Sequence, residues 1–228
     1  MTSDLAVCLV SGGLDSCVSA VIAGQNYRLA LLHCNYGQRT EERELRSFND
    51  LADYFSVPRE LRLTVDLDHF RKIGGSSLTD PSREIPAGES GPGEVPSTYV
   101  PFRNANLLSL AVSWAEVIGA DRVFIGAMEE DSSGYPDCRE EFIEAFNRAV
   151  ELGTGPGSGI RVEAPLIHLS KGEAIRRGME AGAPLQLTWS CYVSSGPKPC
   201  GVCGSCRLRA RGFAAAGVPD PILGEERQ

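Results

Sequence analysis

The sequence predicts an α/β fold with a parallel sheet, and three observations carry that prediction. Apolar runs of strand length recur at 5–10, 28–34, 61–67, 121–127 and 161–166. Segments with helical spacing of apolar residues stand between them. A glycine turn, Ser11-Gly12-Gly13-Leu14-Asp15-Ser16, joins the first run to the first helix. Strands and helices alternating in this way form crossover units, and such units build a parallel sheet with helices on both faces.

In chain order, residues 5–10 are uninterruptedly apolar, as a strand buried on both faces must be. Gly12 and Gly13 let the backbone turn tightly, and the helix that follows, 14–23, closes at Gly24. The first turn of that helix offers N–H groups with no carbonyl one turn earlier. Leu9, Val10, Ser11, Gly12, Gly13, Leu14, Asp15, Ser16, Cys17, Val18 and Ser19 therefore form a candidate phosphate-binding unit. The loop contains no lysine and no G-x-x-x-x-G-K-[ST] pattern, which favours contact with a pyrophosphate over transfer of a γ-phosphoryl group. The second strand, 28–34, leads to a helix over 40–55 whose apolar side carries Leu45, Phe48, Leu51, Ala52 and Phe55. After the third strand, residues 74–101 are rich in proline, glycine, serine and threonine. They read as a long loop within the domain, of the kind that often serves as a lid. A helix over 104–118 ends at Gly119, and a short Gly-rich connection, 152–159, precedes the fifth strand. Ser170-Lys171-Gly172-Glu173 has capping-box spacing and starts a helix running to about Gly182.

A chain of 228 residues is long enough for one such domain with a small appendage. The net charge of −8 and the lack of a long basic run argue against a nucleic-acid surface, leaving a small-molecule substrate favoured. No apolar stretch approaches the ~20 residues of a membrane span, and the N-terminus lacks a basic leader pattern, so a cytoplasmic location is expected.

Four of the eight cysteines, Cys191, Cys200, Cys203 and Cys206, stand as C-x8-C-x2-C-x2-C. Gly201 and Gly204 permit the tight turns that bring neighbouring thiolates onto one ion. Four thiolates with no further ligand suit a closed, structural tetrahedral Zn²⁺, and an iron–sulfur cluster is the chemical alternative. Residues 1–185 and 186–228 divide on this basis into an α/β domain and a metal-held segment packed on it. Cys8, Cys17, Cys34 and Cys138 are expected to be small buried hydrophobes.

Polar groups cluster in three further loops: Asn35-Tyr36-Gly37-Gln38-Arg39, Ser97 to Asn104, and Ser133 to Arg139. The first and third follow strands, at the sheet edge where open α/β folds bind ligands, and the second can reach the same edge.

SGGLDS resembles the phosphate turn, or PP-loop, of ATP pyrophosphatases. Together with YGQR, STYVPFRN, SGYPDCR, the PL-x-x-x-SK stretch at 165–171, TWSCY at 188–192 and PCGVCGSCRLR from Pro199, it resembles the QueC family of 7-cyano-7-deazaguanine synthases over nearly the whole chain. The resemblance implies the adenine nucleotide α-hydrolase-like fold. It also implies ATP-dependent activation of 7-carboxy-7-deazaguanine as an acyl adenylate, attack by ammonia to give the amide, and a second activation that leaves the nitrile. ATP, Mg²⁺ and one structural Zn²⁺ are the implied cofactors, and a homodimer the implied assembly. Asp15, Ser16, Arg103 and Lys171 are the candidate catalytic residues, with Asp15 at magnesium or bracing the loop and either cation neutralising pyrophosphate. Tyr36, Gln38, Arg39, Asn104, Tyr135, Asp137, Arg139 and Trp189 are the candidates for substrate contact, an aromatic to stack on the base and a carboxylate to face its guanidine-like edge.

No glutaminase unit accompanies these motifs, so free ammonium is the expected nitrogen donor. Thr40 departs from the family, which usually has His after the Gln-Arg of YGQR. A hydroxyl cannot shuttle protons near neutral pH as imidazole can. The alternative that keeps every motif is a relative that stops at the amide, or that passes the activated group to another amine such as a protein N-terminus. A regulatory module that holds ATP without turnover is the non-enzymatic alternative.

Overall fold

The computed structural model describes residues 4–88, 94–129 and 135–223. Five parallel strands, β1 (Leu5–Leu9), β2 (Arg28–Asn35), β3 (Arg62–Asp66), β4 (Arg122–Phe124) and β5 (Arg161–Glu163), lie in the order β3-β2-β1-β4-β5. All five expected strands form, each within or close to its apolar run. The last two, of three residues each, are at most half the length of their runs. After Phe124 the Ile125 N–H still bonds Glu163 O at 3.0 Å, but Gly126 then passes so close to α1 that a Cβ there would lie 2.7 Å from the Asp15 carbonyl carbon.

The alternation of β1 shows why helices cover both faces. Leu5, Val7 and Leu9 point into one core with α4 (Arg103–Ile118) and α5 (Glu140–Gly153), through Leu108, Ala111, Ala115, Ile143 and Val150. Ala6, Cys8 and Val10 point into the other, against Cys17 and Ala20 of α1 (Leu14–Gly24) and Phe48, Leu51 and Ala52 of α2 (Glu41–Tyr54). A side-chain period of two thus divides one strand between two layers.

Helix ends obey local chemistry where the sequence offers it. Gly119 takes the left-handed C-cap of α4 at φ 72°, and Ser170 forms the expected capping box with Glu173 at the start of α6 (Lys171–Glu180). Gly24 does not cap α1. It is the last helical residue, and Gln25 follows in right-handed geometry at φ −68°. The sequence reading did not delimit three helices: the short α3 (His69–Ile73), α5, and α7 (Gly204–Ala216). The last packs on α6, with Phe213 in one cluster with Leu14, Val18, Ala174 and Ile175. Arg209, 5 % exposed, pairs with Asp220 at 2.7 Å and reaches Thr188 Oγ1 at 2.8 Å, clasping the C-terminal turn to the segment before the cysteines. Among the described residues, no helix is long and apolar enough to cross a membrane.

Candidate active site

The strand order reverses at β1, with β2 on one side and β4 on the other. The crevice above the carboxyl ends of these strands is therefore the topological switch point. A cleft of about 250 Å³ opens there. Leu9, Val10, Ser11, Gly13, Leu14, Asp15 and Ser16 line it from the glycine turn and the strand before it, while Tyr36, Arg103, Asn104, Tyr135 and Trp189 line it from four other segments.

The turn is held from within and from behind. Ser16 Oγ donates to Gly13 O at 3.0 Å, Gly13 N–H donates to Ser11 Oγ at 3.2 Å, and the two serine hydroxyls lie 3.2 Å apart. Behind it, Trp189 N–H donates to Gly12 O at 2.8 Å. Gly12 sits at φ +86°, and a Cβ there would lie 2.6 Å from Glu44 O and 2.9 Å from Ser47 Cβ. Replacing Gly12 with alanine is therefore expected to cost about 2–4 kcal/mol, from the left-handed backbone plus overpacking against α2. A denaturant titration measures this, and a loss under ~1 kcal/mol would show that α2 yields freely. Cys17, Val18 and Ser19 are buried in α1 beneath the turn and do not face the cleft; burial pushes the Cys17 thiol up to about 12.

Lys171, brought by the first turn of α6, places Nζ at 3.0 and 2.9 Å from the two carboxylate oxygens of Asp15. The two residues are 156 positions apart, and their side chains are only 8 % and 28 % accessible. Arg103 begins α4, whose N-cap, Phe102, is left-handed at φ 56° and supplies no side-chain cap. The cap comes instead from Asp137, whose Oδ2 accepts the Asn104 N–H at 2.9 Å while its backbone carbonyl accepts Asn104 Nδ2 at 3.1 Å. This anchors Arg103 over the Tyr36 ring, its guanidinium carbon 5.4 Å from the centroid, with Nη1 donating to Tyr36 Oη at 3.2 Å.

The substrate-side candidates separate into three groups. Tyr36, Asn104, Tyr135 and Trp189 line the cleft, with the Tyr135 hydroxyl 2.7 Å from Thr98 Oγ1 and the Trp189 ring covered by the Arg43 guanidinium at 4.3 Å. Gln38 and Asp137 are buried one layer behind it. Arg39 and Arg139 lie elsewhere. Arg39 binds the Ser77, Asp80 and Arg83 carbonyls and so braces the loop after α3, while Arg139 is exposed as N-cap of α5. Ser133 and Gly134 of the third polar loop fall outside the described residues.

Among the cleft residues that escaped the sequence reading, Glu44 and Tyr192 carry titratable groups. Tyr192 sits inside the TWSCY string, but Glu44 carries no local mark, being one of four glutamates or arginines in the first turn of α2. The carboxyl of Glu44 accepts Thr40 Oγ1 at 2.7 Å and Gln38 Nε2 at 3.2 Å. Burial pushes its pKa up to about 7, against the restraint of those two bonds and of the Arg103 charge. Beneath the turn, His33 is buried with Nδ1 2.9 Å from Val10 O and Nε2 3.1 Å from Asn35 Oδ1, and burial lowers its pKa.

The sulfurs of Cys191, Cys200, Cys203 and Cys206 lie within 4.8 Å of one another, and those of Cys200 and Cys206 are 3.9 Å apart. Thiolates at 2.3 Å from a tetrahedral Zn²⁺ would stand roughly 3.8 Å apart. Backbone N–H groups of Val193, Ser194 and Cys200 point at Cys191 Sγ from 3.4, 3.2 and 3.3 Å, which favours the thiolate form that a metal requires. The donor set fits such an ion.

A parallel α/β sheet with a glycine turn at its switch point and four clustered thiols whose spacing fits one metal ion defines the class: an α/β protein whose polar-lined cleft lies at the carboxyl ends of its strands. Within that class the chain belongs to the QueC family, whose model, "Queuosine biosynthesis protein QueC", matches residues 5–217. Relatives named "7-cyano-7-deazaguanine synthase" from Chlorobium phaeobacteroides and Chlorobium luteolum are each 54 % identical over 97 % of this chain and 97 % of theirs. The structure of NMN synthetase from Francisella tularensis, at TM-score 0.47 and 14 % identity, is covered over 77 % of its chain by 94 % of this one.

Proposed function

We propose that this chain is an ATP-dependent carbon–nitrogen ligase that converts 7-carboxy-7-deazaguanine and ammonia to 7-cyano-7-deazaguanine through an acyl adenylate and an amide. The observation that carries this reading is that one cleft joins the glycine turn to the loops bearing Tyr36, Arg103 and Tyr135, in a chain that matches synthases of that name over 97 % of its length. A carboxylate is a poor electrophile because its leaving group would be oxide, and adenylation gives it a stabilised one. The N–H groups of the first turn of α1, with Ser11 and Ser16, are suited to take phosphate oxygens. Arg103 is suited to hold the negative charge that develops, and Asp15 to meet Mg²⁺, which would supply further neutralisation. Tyr135 and Trp189 are the aromatics available to the base.

We further assign Zn²⁺ to the four cysteines as a structural ion. On this division, residues 1–185 form the catalytic unit and 186–228 a metal-held segment that lays α7 on α6. The reading implies a cytoplasmic homodimer that uses free ammonium.

Mass spectrometry of the products formed from 7-carboxy-7-deazaguanine, ATP, Mg²⁺ and ammonium tests it. Nitrile accompanied by AMP is expected. Amide without nitrile would instead place the chain with the alternative in which the activated group stops short or goes to another amine, consistent with Thr40. No AMP at all would remove both.

A further inference from the structure

Among the described residues, two carboxylates line the cleft, Asp15 and Glu44, and Lys171 holds the first. We propose that Glu44 is the base of the amine-transfer step, taking a proton from ammonium in the cleft and releasing ammonia beside the activated carboxyl carbon. This rests on the function proposed above and assigns the step a residue. Glu44 lines the same cleft as Ser11, Asp15 and Arg103. It is also fixed against the phosphate turn, since its own carbonyl closes the space over Gly12.

Both carboxylate oxygens are held. Tyr36 N–H donates to Gln38 Oε1 at 2.8 Å, which turns the Gln38 Nε2 toward Glu44, and Thr40, 1 % exposed, has its hydroxyl committed to the other oxygen. Each oxygen accepts one hydrogen bond here and retains a lone pair for a further N–H donor.

The groups facing this carboxyl set its behaviour. Arg103 from α4 favours the ionised form, Glu41 on its own helix disfavours it, and the Tyr36 phenol, itself pushed up to about 12 by burial, stays neutral. A carboxyl poised near 7 is half-ionised at neutral pH and basic enough to accept a proton.

Ammonium gives one proton to a Glu44 oxygen. The nitrogen lone pair then forms the C–N bond to the acyl carbon, and the C–O bond to AMP breaks with its electron pair on the phosphate oxygen. The surplus proton on nitrogen passes to water, and Glu44 returns its own proton to solvent before the next turnover.

The test compares two amines in Glu44→Gln, which keeps the volume of the side chain. With ammonium, amide formation should fall about 100-fold or more at neutral pH and recover as rising pH supplies neutral ammonia. With hydroxylamine, uncharged at neutral pH, hydroxamate formation should stay at the wild-type rate. Pyrophosphate exchange driven by 7-carboxy-7-deazaguanine reports the first half-reaction separately. Its absence in the wild type overturns the underlying function and this proposal with it. Exchange intact with ammonium turnover undiminished, or an equal loss with both amines, overturns the proposal alone. Should Glu44→Gln lose exchange as well, Thr40→Val decides. Removing the hydroxyl that favours the carboxylate should move the acid limb of amide formation to higher pH, and an unmoved limb overturns the assignment.

Discussion

Replacing Cys206 with serine is expected to release the Zn²⁺ proposed for the four cysteines, lower the melting temperature by about 8–16 °C and bring ATP turnover to background. Structural zinc binds peptides with an apparent ~10–16 kcal/mol, but that full amount applies where nothing else folds the segment. Here α7 has its own anchors in Phe213, 3 % exposed, and in the Arg209–Asp220 pair, both side chains of which are 5 % accessible. The loss should therefore be on the order of 4 kcal/mol, which converts to the stated shift for a chain of this size.

The effect on turnover follows from the chain path. Trp189, two residues before Cys191, holds the glycine turn through its N–H bond to Gly12 O at 2.8 Å, and its indole N–H is bonded to Ser194 O at 3.1 Å on the other side of that cysteine. Without the metal, the segment that fixes Trp189 loses its closest constraint. Metal content, calorimetry and pyrophosphate exchange, measured on Cys206→Ser and on wild type treated with chelator, check this. An unchanged melting temperature in a metal-free protein would show that the cluster has no structural role.

The second large effect is expected for Lys171→Met. Its ammonium is held by both oxygens of Asp15 at the mouth of the turn. Removing one partner of a buried pair costs about 3–5 kcal/mol, and the 28 % accessibility of Asp15 brings the expected figure to the lower end because water can reach the orphaned carboxylate. ATP turnover should fall by about 100-fold, the scale of losing one preorganised charge from a site that stabilises developing phosphate charge. The double variant Asp15→Asn, Lys171→Met should lose less stability than the two single variants summed, since the second change no longer leaves an unpaired charge. Strict additivity would mean that the two groups act independently.

The position of Lys171 also shows what was legible in advance and what was not. Its capping-box address, one residue after Ser170, is a local signal, and the helix starts where that signal places it. Its partner lies 156 positions away, so no spacing rule could indicate it. Asp137 behaves similarly. The sequence singled it out as a carboxylate beside a tyrosine, suited to a guanidine-like edge. In the fold it is 4 % exposed and spends one oxygen capping α4, because Phe102 at the N-cap has no side chain able to do so. Glu44 is the opposite case, unremarkable among the charges of α2 until Gln38, Thr40 and the cleft surround it.

The sequence by itself determined the five strands and the helices α1, α2, α4 and α6 in chain order, the glycine turn after β1, the Ser170 cap and the four-cysteine cradle. Each of these depends on residues close together along the chain: the period of apolar side chains, the φ freedom of glycine, the reach of a serine across one helical turn, and ligand spacing. Only the tertiary structure decided which charges pair, which carboxyl faces the cleft and is pushed up toward neutrality, and which of two similar arginines binds a loop while another stays over Tyr36. Those outcomes depend on burial and on distances between segments far apart in the chain, and the side chains acquire both only when the sheet closes between its two layers of helices.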